Sequence, residues 1–309
     1  MTEIEKFEKV LANELTPGLA GLYVQGLVNT LGKERMIEKG EEWHFEIGKN
    51  LYGPLAVGFC QWVEEYCQGI RHGGAVHFAL RDAAPLQESA NVQWDGKMIY
   101  PVGIYVNRPL LGIEDEIAPQ EASVDGNMRV YLGALGLLSS SNVVWADTGA
   151  WGTVIKVLKQ GLLKDVNLHP LFWFSHNPGI PGYINHLLKE AALNPCLGEV
   201  INDSLECVFP QQYQRPLEVV QDKVGWRVNL EHNNPIAVTW GRAALAGVKA
   251  AARELSGITR AQEIVAINKL AEAHEGAKTG GCTGVLPQNT PTWSKGEQFL
   301  AEWPKGLLP

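Results

Sequence analysis

The run Val143-Val144-Trp145-Ala146-Asp147 places an acid after apolar residues, and Thr148-Gly149-Ala150-Trp151-Gly152-Thr153 follows with two glycines. This pattern predicts a buried strand, a turn and a helix that starts near Trp151. Glycines at 149 and 152 let backbone N–H groups approach a ligand closely. A helix N-terminus adds the positive end of its dipole, and the two together suit phosphate. Asp147 is then expected at the strand's carboxyl end, where open α/β sheets bind their ligands. A plainer use is open for each residue: Asp147 as a helix N-cap, the glycines as a tight turn.

Other elements must position this segment. Residues 1–73 read as helical, because Leu55, Phe59, Val63, Cys67 and Ile70 fall on one stripe. Ala75 to Leu80 reads as a strand that stops at Arg81-Asp82, with a helix after Pro85. Met98 to Val106 reads as one or two strands, the acidic stretch after it as an exposed loop, and residues 128–139 as a short apolar helix. A further strand, Leu168 to Phe174, ends at the turn signal Ser175-His176-Asn177-Pro178-Gly179, and a helix is expected from Gly182 to Ala192. Beyond Gln221 the pattern reads as helical, with Leu245, Val248, Ala252 and Leu255 on one face. The partition is a helical segment 1–73, an α/β core 74–180, a helical segment 181–275 and an irregular arm 276–309. Alternating strands and helices in the core indicate an α/β fold with a partly parallel central sheet and flanking helices.

Of 309 residues, 45% are hydrophobic and 19% charged, which excludes extended disorder. The net charge is −8 and the basic residues are scattered, so no general nucleic-acid surface is expected. The amino-terminal residues lack a signal peptide's apolar core, and no apolar run is long enough to span a bilayer. A cytoplasmic protein is the resulting expectation, and a homo-oligomer stays open. Cys60, Cys67, Cys196, Cys207 and Cys282 have no zinc-finger spacing and read as reduced, mostly buried thiols. His72 and His77 have no carboxylate partner at metal-ligand spacing, so no protein metal site is expected. Ser139, Ser140 and Ser141 lack the glycine frame of a nucleophile elbow.

Phe78-Ala79-Leu80-Arg81-Asp82-Ala83-Ala84-Pro85-Leu86 resembles the ARAGTP-type loop of phosphoribosyltransferase-like proteins in bacterial tellurium-resistance clusters. Ala146-Asp147-Thr148-Gly149-Ala150-Trp151-Gly152-Thr153 resembles their DGWTGKG-type loop. The same pair is similar to the carboxyl-terminal region of polysaccharide-cluster proteins labelled as haloacid-dehalogenase-type hydrolases. The resemblance covers residues 50–175 and rests on two short loops and their order. It implies a phosphoribosyltransferase-like, Rossmann-like sheet and a small phosphorylated substrate. By the same resemblance Arg81, Asp82 and Ala83 line a pyrophosphate side, Asp147 binds ribose hydroxyls, and Thr148, Gly149, Gly152 and Thr153 cradle a 5-phosphate.

The chain also departs from that pattern. Phosphoribosyltransferases carry two adjacent acids before the glycine and threonine, and here the first of those places is Ala146. The lysine of the family's glycine-rich loop is missing, with Trp151 near its place. Phosphate charge must then be met by backbone and by Arg81 or Arg108. The implied reaction is a phosphoribosyl transfer with Mg2+ carried on the substrate pyrophosphate. His176 is a candidate general acid or base, against a plain packing role beside the turn. Trp151 is a candidate stacking face for a base or sugar, whereas Trp145 reads as core. Two alternatives remain. One is a haloacid-dehalogenase-type phosphohydrolase with Asp147 as nucleophile, which wants a second acid where Gly149 stands. The other is a non-enzymatic nucleotide-binding or assembly protein that kept the phosphate loop.

Overall fold

Apolar runs with little alternation suit strands that are covered on both faces. Four such runs build a parallel sheet in the computed structural model: β1 (Gly74–Leu80), β2 (Ile99–Tyr105), β3 (Asn142–Ala150) and β4 (Asn167–Ser175). A two-residue strand, β5 (Ile184–Asn185), joins the β4 edge. The order is β2-β1-β3-β4-β5, and every neighbouring pair is parallel. The structure describes residues 40–42, 44–80, 82–107, 109–111, 126–150, 152–175, 182–187, 216–221, 226–230 and 235–267. The protein is α/β, as its alternating pattern predicts.

The helices among the described residues include α1 (Gly53–Gly69), α2 (Ala84–Gln93), α3 (Gly126–Ala134), α4 (Thr153–Gln160) and α5 (Pro235–Glu254). The chain divides into two compact units, one of Met1–Gly58, Glu190–Tyr213 and Asn233–Pro309, the other of Phe59–Lys189 and Gln214–His232. The sheet lies in the second.

In the sheet unit, the chain moves outward from β1 to β2, then crosses back to β3 and continues to β4. Helices of a doubly wound sheet consequently fall on both faces. On one face, Tyr131 and Leu132 of α3 and Ile155, Val157 and Leu158 of α4 share a buried core with Ala79, Ile104, Val143, Trp145, Leu168 and Phe172. Trp145 is fully buried there, a core residue as expected. On the other face α2 packs on β1 and β2, with Trp94 5.8 Å from Phe78. Phe59 of α1 lies 6.4 Å from Trp173 of β4. The predicted α1 stripe is buried at Leu55, Phe59, Val63 and Cys67, and it ends with the helix, so Ile70 is exposed.

Both described cysteines, Cys60 and Cys67, are buried and free, in agreement with their sequence reading. Burial pushes each thiol up to about 12, and Cys60 Sγ contacts the Leu86 carbonyl at 3.3 Å. Thiolate is the reactive form, so neither should react with iodoacetamide in the native protein. Peptide mapping after native alkylation checks this; modification of either residue at the rate of a denatured control would contradict it.

Two helical expectations are corrected. Within the helix expected over Gly182–Ala192, Ile184 and Asn185 instead pair with Leu171 and Phe172 as β5. The segment's turn residues Gly182 and Tyr183 aim the chain along β4, and the ladder captures it. Where helix was expected beyond Gln221, the chain forms β7 (Trp226–Leu230), which pairs antiparallel with β6 (Pro216–Gln221). Alternation of Trp226, Val228 and Leu230 is a strand signal that a helical reading of the longer window absorbed. Pro235 then opens α5, in which Leu245, Val248 and Ala252 of the expected face are buried, whereas Leu255 lies just past the helix end and is half-buried. Among the described residues, no helix is long and apolar enough to cross a membrane.

Candidate functional site

The sheet order creates a switch point between β1 and β3, because the connections leaving these two strands run to opposite sides. Ligands of open α/β sheets bind in the crevice outside the carboxyl ends at such a point. Here the crevice has a visible beginning. The β1–β3 ladder covers three pairs, from Val76↔Val144 to Phe78↔Ala146, and stops. On the outer sides, β1 stays paired with β2 to Leu80↔Tyr105, and β3 with β4 to Ala150↔Ser175. Ala79 and Leu80 therefore part from Asp147 and the residues after it.

Asp147 is the first β3 residue past the end of that ladder, and it is half-buried. It was expected at the strand's carboxyl end; instead β3 runs on through Thr148, Gly149 and Ala150, held by β4. The glycine-rich stretch is therefore partly strand. Gly149 and Ala150 take register positions opposite Phe174 and Ser175. Thr148 is buried, and its Oγ1 donates to Asp147 Oδ1 over 3.5 Å, the long limit of a hydrogen bond.

Only the last part of the motif makes the turn. Gly152 has φ 59° and ψ 23°, a left-handed conformation that favours glycine, and it is the N-cap of α4. Its carbonyl accepts from Lys156 N–H at 3.0 Å, and as a glycine it has no side chain with which to cap the helix. Thr153 is the first helical residue, so its N–H and those of the next residues have no acceptor within the helix. Across the crevice, half-buried Asp82 and buried Ala83 form the turn from β1 into α2. The Ala83 N–H is given to the Ala79 carbonyl at 3.1 Å, which turns the chain immediately after the strand. Thus Asp82, Ala83, Asp147, Thr148, Gly149, Gly152 and Thr153 all belong to the two strand ends that flank the switch point. Arg81, Arg108, Trp151 and His176 lie outside the described residues.

No family model, curated protein or solved structure matches the chain. The geometry of the crevice is accordingly what the functional reading stands on.

Sequence reasoning missed three polar groups at the same carboxyl edge. Tyr131 of α3, 5% exposed, brings its Oη to the end of β2, where the Tyr105 N–H donates to it at 3.1 Å. Burial holds both phenols above their ordinary pKa, so they stay protonated at neutral pH. Ser175 ends β4 buried, and Asn185 of β5 donates its Nδ2 to the Ser175 carbonyl at 2.8 Å. Helical spacing of Tyr131 with Met128 and Leu132 carried only a core signal, and Asn185 was read as helix.

Histidines elsewhere have structural partners. Buried His77 lies between the carbonyls of Leu135 at 3.1 Å and Val144 at 3.4 Å, and burial lowers its pKa. At the opposite, amino edge His169 meets Tyr66 Oη at 2.8 Å and Asn167 Nδ2 at 3.1 Å. Among the described residues no three His, Cys, Asp or Glu side chains form a group able to hold a metal ion.

Proposed function

We propose that the chain is a phosphoribosyltransferase-like protein that binds a phosphorylated ribose or nucleotide in the crevice between the carboxyl ends of β1 and β3. The observation that carries this reading is the early end of the β1–β3 ladder at Phe78↔Ala146, which opens the sheet beside Asp147. Both motifs flank that opening, in the order pyrophosphate side first and 5-phosphate side second. The α4 N-terminus, with Gly152 left-handed and without a capping side chain of its own, takes the 5-phosphate on backbone N–H groups. Asp147 takes ribose hydroxyls. Arg81 and Asp82 serve the pyrophosphate side, with Arg108 adding positive charge.

The chemistry of this reading is displacement at the anomeric carbon. Positive charge builds on the sugar ring and negative charge on the leaving pyrophosphate, so a carboxylate and cations are needed to stabilise the two ends. Mg2+ bound to the pyrophosphate supplies further charge neutralisation there, and needs few protein oxygens because substrate and water provide the rest. Asp147 and Asp82, half-buried at the crevice, fit that modest demand.

One observation favours a second reading, binding without turnover. Ala146 occupies the first acidic place of the transferase pattern and is fully buried within β3, so no acid is presented there. A phosphohydrolase with Asp147 as nucleophile is less well supported, since the residue two positions on is Gly149 in the same strand.

The test is a thermal-shift panel of phosphoribosyl pyrophosphate, ribose 5-phosphate, nucleoside monophosphates and inorganic phosphate with magnesium, on wild type and Asp147→Asn. A phosphoribosyl ligand at about a hundred times its Kd is expected to stabilise wild type by about 2.7 kcal/mol. Asp147→Asn should lose that stabilisation while unfolding at an unchanged temperature without ligand. Where turnover is present, it should fall roughly a hundredfold or more. Wild type unmoved by every ligand would sink the reading.

A further inference from the structure

The β1–β3 ladder stops where its next acceptor is already engaged. The Gly74 N–H donates at 3.0 Å to the carbonyl of Met98, just before β2. Even-numbered residues of β1 therefore turn their backbone groups to β2, and odd-numbered ones, Ala79 included, to β3. The Asn167 N–H donates at 3.1 Å to the carbonyl of Ser141, just before β3. By the same alternation, even-numbered residues of β3, Thr148 included, face β1. A parallel ladder continuing past Phe78↔Ala146 is closed next by the Thr148 N–H on the Ala79 carbonyl. That carbonyl instead accepts the Ala83 N–H at 3.1 Å.

Everything else that the missing rung needs is in place. Beyond the end of the ladder, β1 is held extended by β2 as far as Leu80, and β3 by β4 as far as Ala150. Two N–H groups thus compete for one carbonyl. Ala83 is fully buried and Thr148 is 3% exposed, so the N–H that loses is poorly hydrated in either arrangement. Neither arrangement wins by its number of hydrogen bonds. Nor does the exchange unwind α2, because the bond of its first turn runs from the Gln87 N–H to the Ala83 carbonyl at 2.9 Å and leaves the Ala83 N–H out.

We propose that the Ala79 carbonyl is a latch with two positions. Held by Ala83, it keeps the sheet open beside Asp147. Taken by Thr148, it adds the rung Ala79↔Asp147 and zips the crevice shut there. The latch stands on the ladder alone, and its use in regulation rests on the phosphate reading above. A phosphorylated ligand that needs the open crevice draws the carbonyl to Ala83, and its apparent affinity falls with the fraction of molecules that are zipped.

Scalar couplings across hydrogen bonds, from each donor 15N to the Ala79 carbonyl 13C in deuterated protein, report the latch directly. Wild type should show the Ala83 coupling. Ala83→Pro removes that donor at a residue whose φ of −82° is close to proline's own. In this variant the Thr148 coupling should appear, and the Thr148 amide should exchange with solvent about tenfold more slowly than in wild type or slower still. A folded Ala83→Pro with neither change overturns the proposal. Its calorimetric Kd for ribose 5-phosphate, with magnesium, should be about tenfold weaker if about a tenth of the molecules remain open.

The double variant Ala83→Pro/Thr148→Pro separates closure from a lost contact. It removes both donors and spares the β3–β4 ladder, which does not use the Thr148 N–H. Affinity lost to zipping returns in it. A rung that forms without weakening ligand, or a loss that the double variant does not restore, overturns the regulatory use and leaves the latch. Wild type that does not bind ribose 5-phosphate ends the phosphate reading, and the couplings still decide the latch. Should Ala83→Pro not fold, Thr148→Pro alone removes the donor of the zipped form. Relaxation dispersion at the Ala79 and Ala83 amides of wild type should then vanish, and dispersion equal in the two proteins, or absent from wild type, overturns the proposal.

Discussion

Replacing Gly48 or Gly247 by alanine should cost about 3 kcal/mol or more, because each added methyl group meets backbone and not a movable side chain. A Cβ on Gly48 would lie 1.9 Å from the Ala244 carbonyl oxygen and 2.7 Å from its carbon. A Cβ on Gly247 would lie 2.0 Å from the Phe45 carbonyl oxygen and 2.7 Å from the Lys49 nitrogen. Contacts of that length require the π turn Gly48–Tyr52 and α5 to separate, which forfeits packing along their whole seam. Buried Ala244 and Ala251 continue the seam, the latter against Gly53. The effect should stay in this unit. Hydrogen exchange should accelerate in peptides of residues 44–53 and 235–254 and leave β1, β3 and β4 protected. An unchanged unfolding midpoint for both variants would show that the helices do not meet as described.

That seam was invisible to a pattern search, and the reason is physical. Hydrophobic periodicity weights large side chains, so α5 was read from Leu245, Val248 and Ala252, all buried. Ala244, Gly247 and Ala251 fall at spacings of three and four on another face, but a helical glycine counts locally only as a loss. Its value appears when a second backbone approaches, which is tertiary information. The strands are the opposite case. Ala75–Leu80, Val143–Trp145 and Leu168–Phe174 are apolar runs bounded by turn residues, and covered parallel strands need little else. The first and third were found within one residue of both ends, and β3 within one residue of its start.

The placement of the candidate site at strand ends was legible in the sequence, and its detail less so. The two motifs proposed as a binding site fall at strand ends beside one switch point, which the order of elements implied without fixing which strands neighbour. Sequence reasoning ended β3 at Asp147 because Thr148-Gly149-Ala150 looks like a loop. The neighbouring strand decides otherwise, since β4 continues to Ser175 and extends β3 with it. Asn185 and Tyr131 come to the edge from distant positions in the chain, and nothing local marks them. Polar residues recruited by topology are read from coordinates, whereas a glycine that must turn left-handed, such as Gly152, announces itself.

Acid should weaken the helical unit through His44. The imidazole is 2% exposed, stacks on Trp240 with ring centroids 5.0 Å apart, and faces the Gly40 carbonyl with Nδ1 at 2.7 Å. Burial lowers its pKa from 6.5 to about 4, against the smaller upward effect of that carbonyl. The sign follows from which state takes the proton. Above about pH 6.5 the ring is neutral whether the chain is folded or not, and the full stability is present. As the pH falls from 6.5 toward 4, the unfolded chain binds a proton that the folded chain refuses, so stability is lost across that window. The gap corresponds to roughly 3 kcal/mol, after which the folded state protonates too and the loss levels off. Buried His77, whose pKa is lowered chiefly by burial, acts in the same direction in the sheet unit. Urea midpoints at pH 7, 5.5 and 4 separate the two. His44→Phe keeps an aromatic ring beside Trp240 and removes the proton site, so its curve should be flatter than wild type over this range, whatever carboxylates contribute to both. Parallel curves for the two proteins would mean that His44 is hydrated enough to titrate near its ordinary value, and that the stack with Trp240 opens in solution.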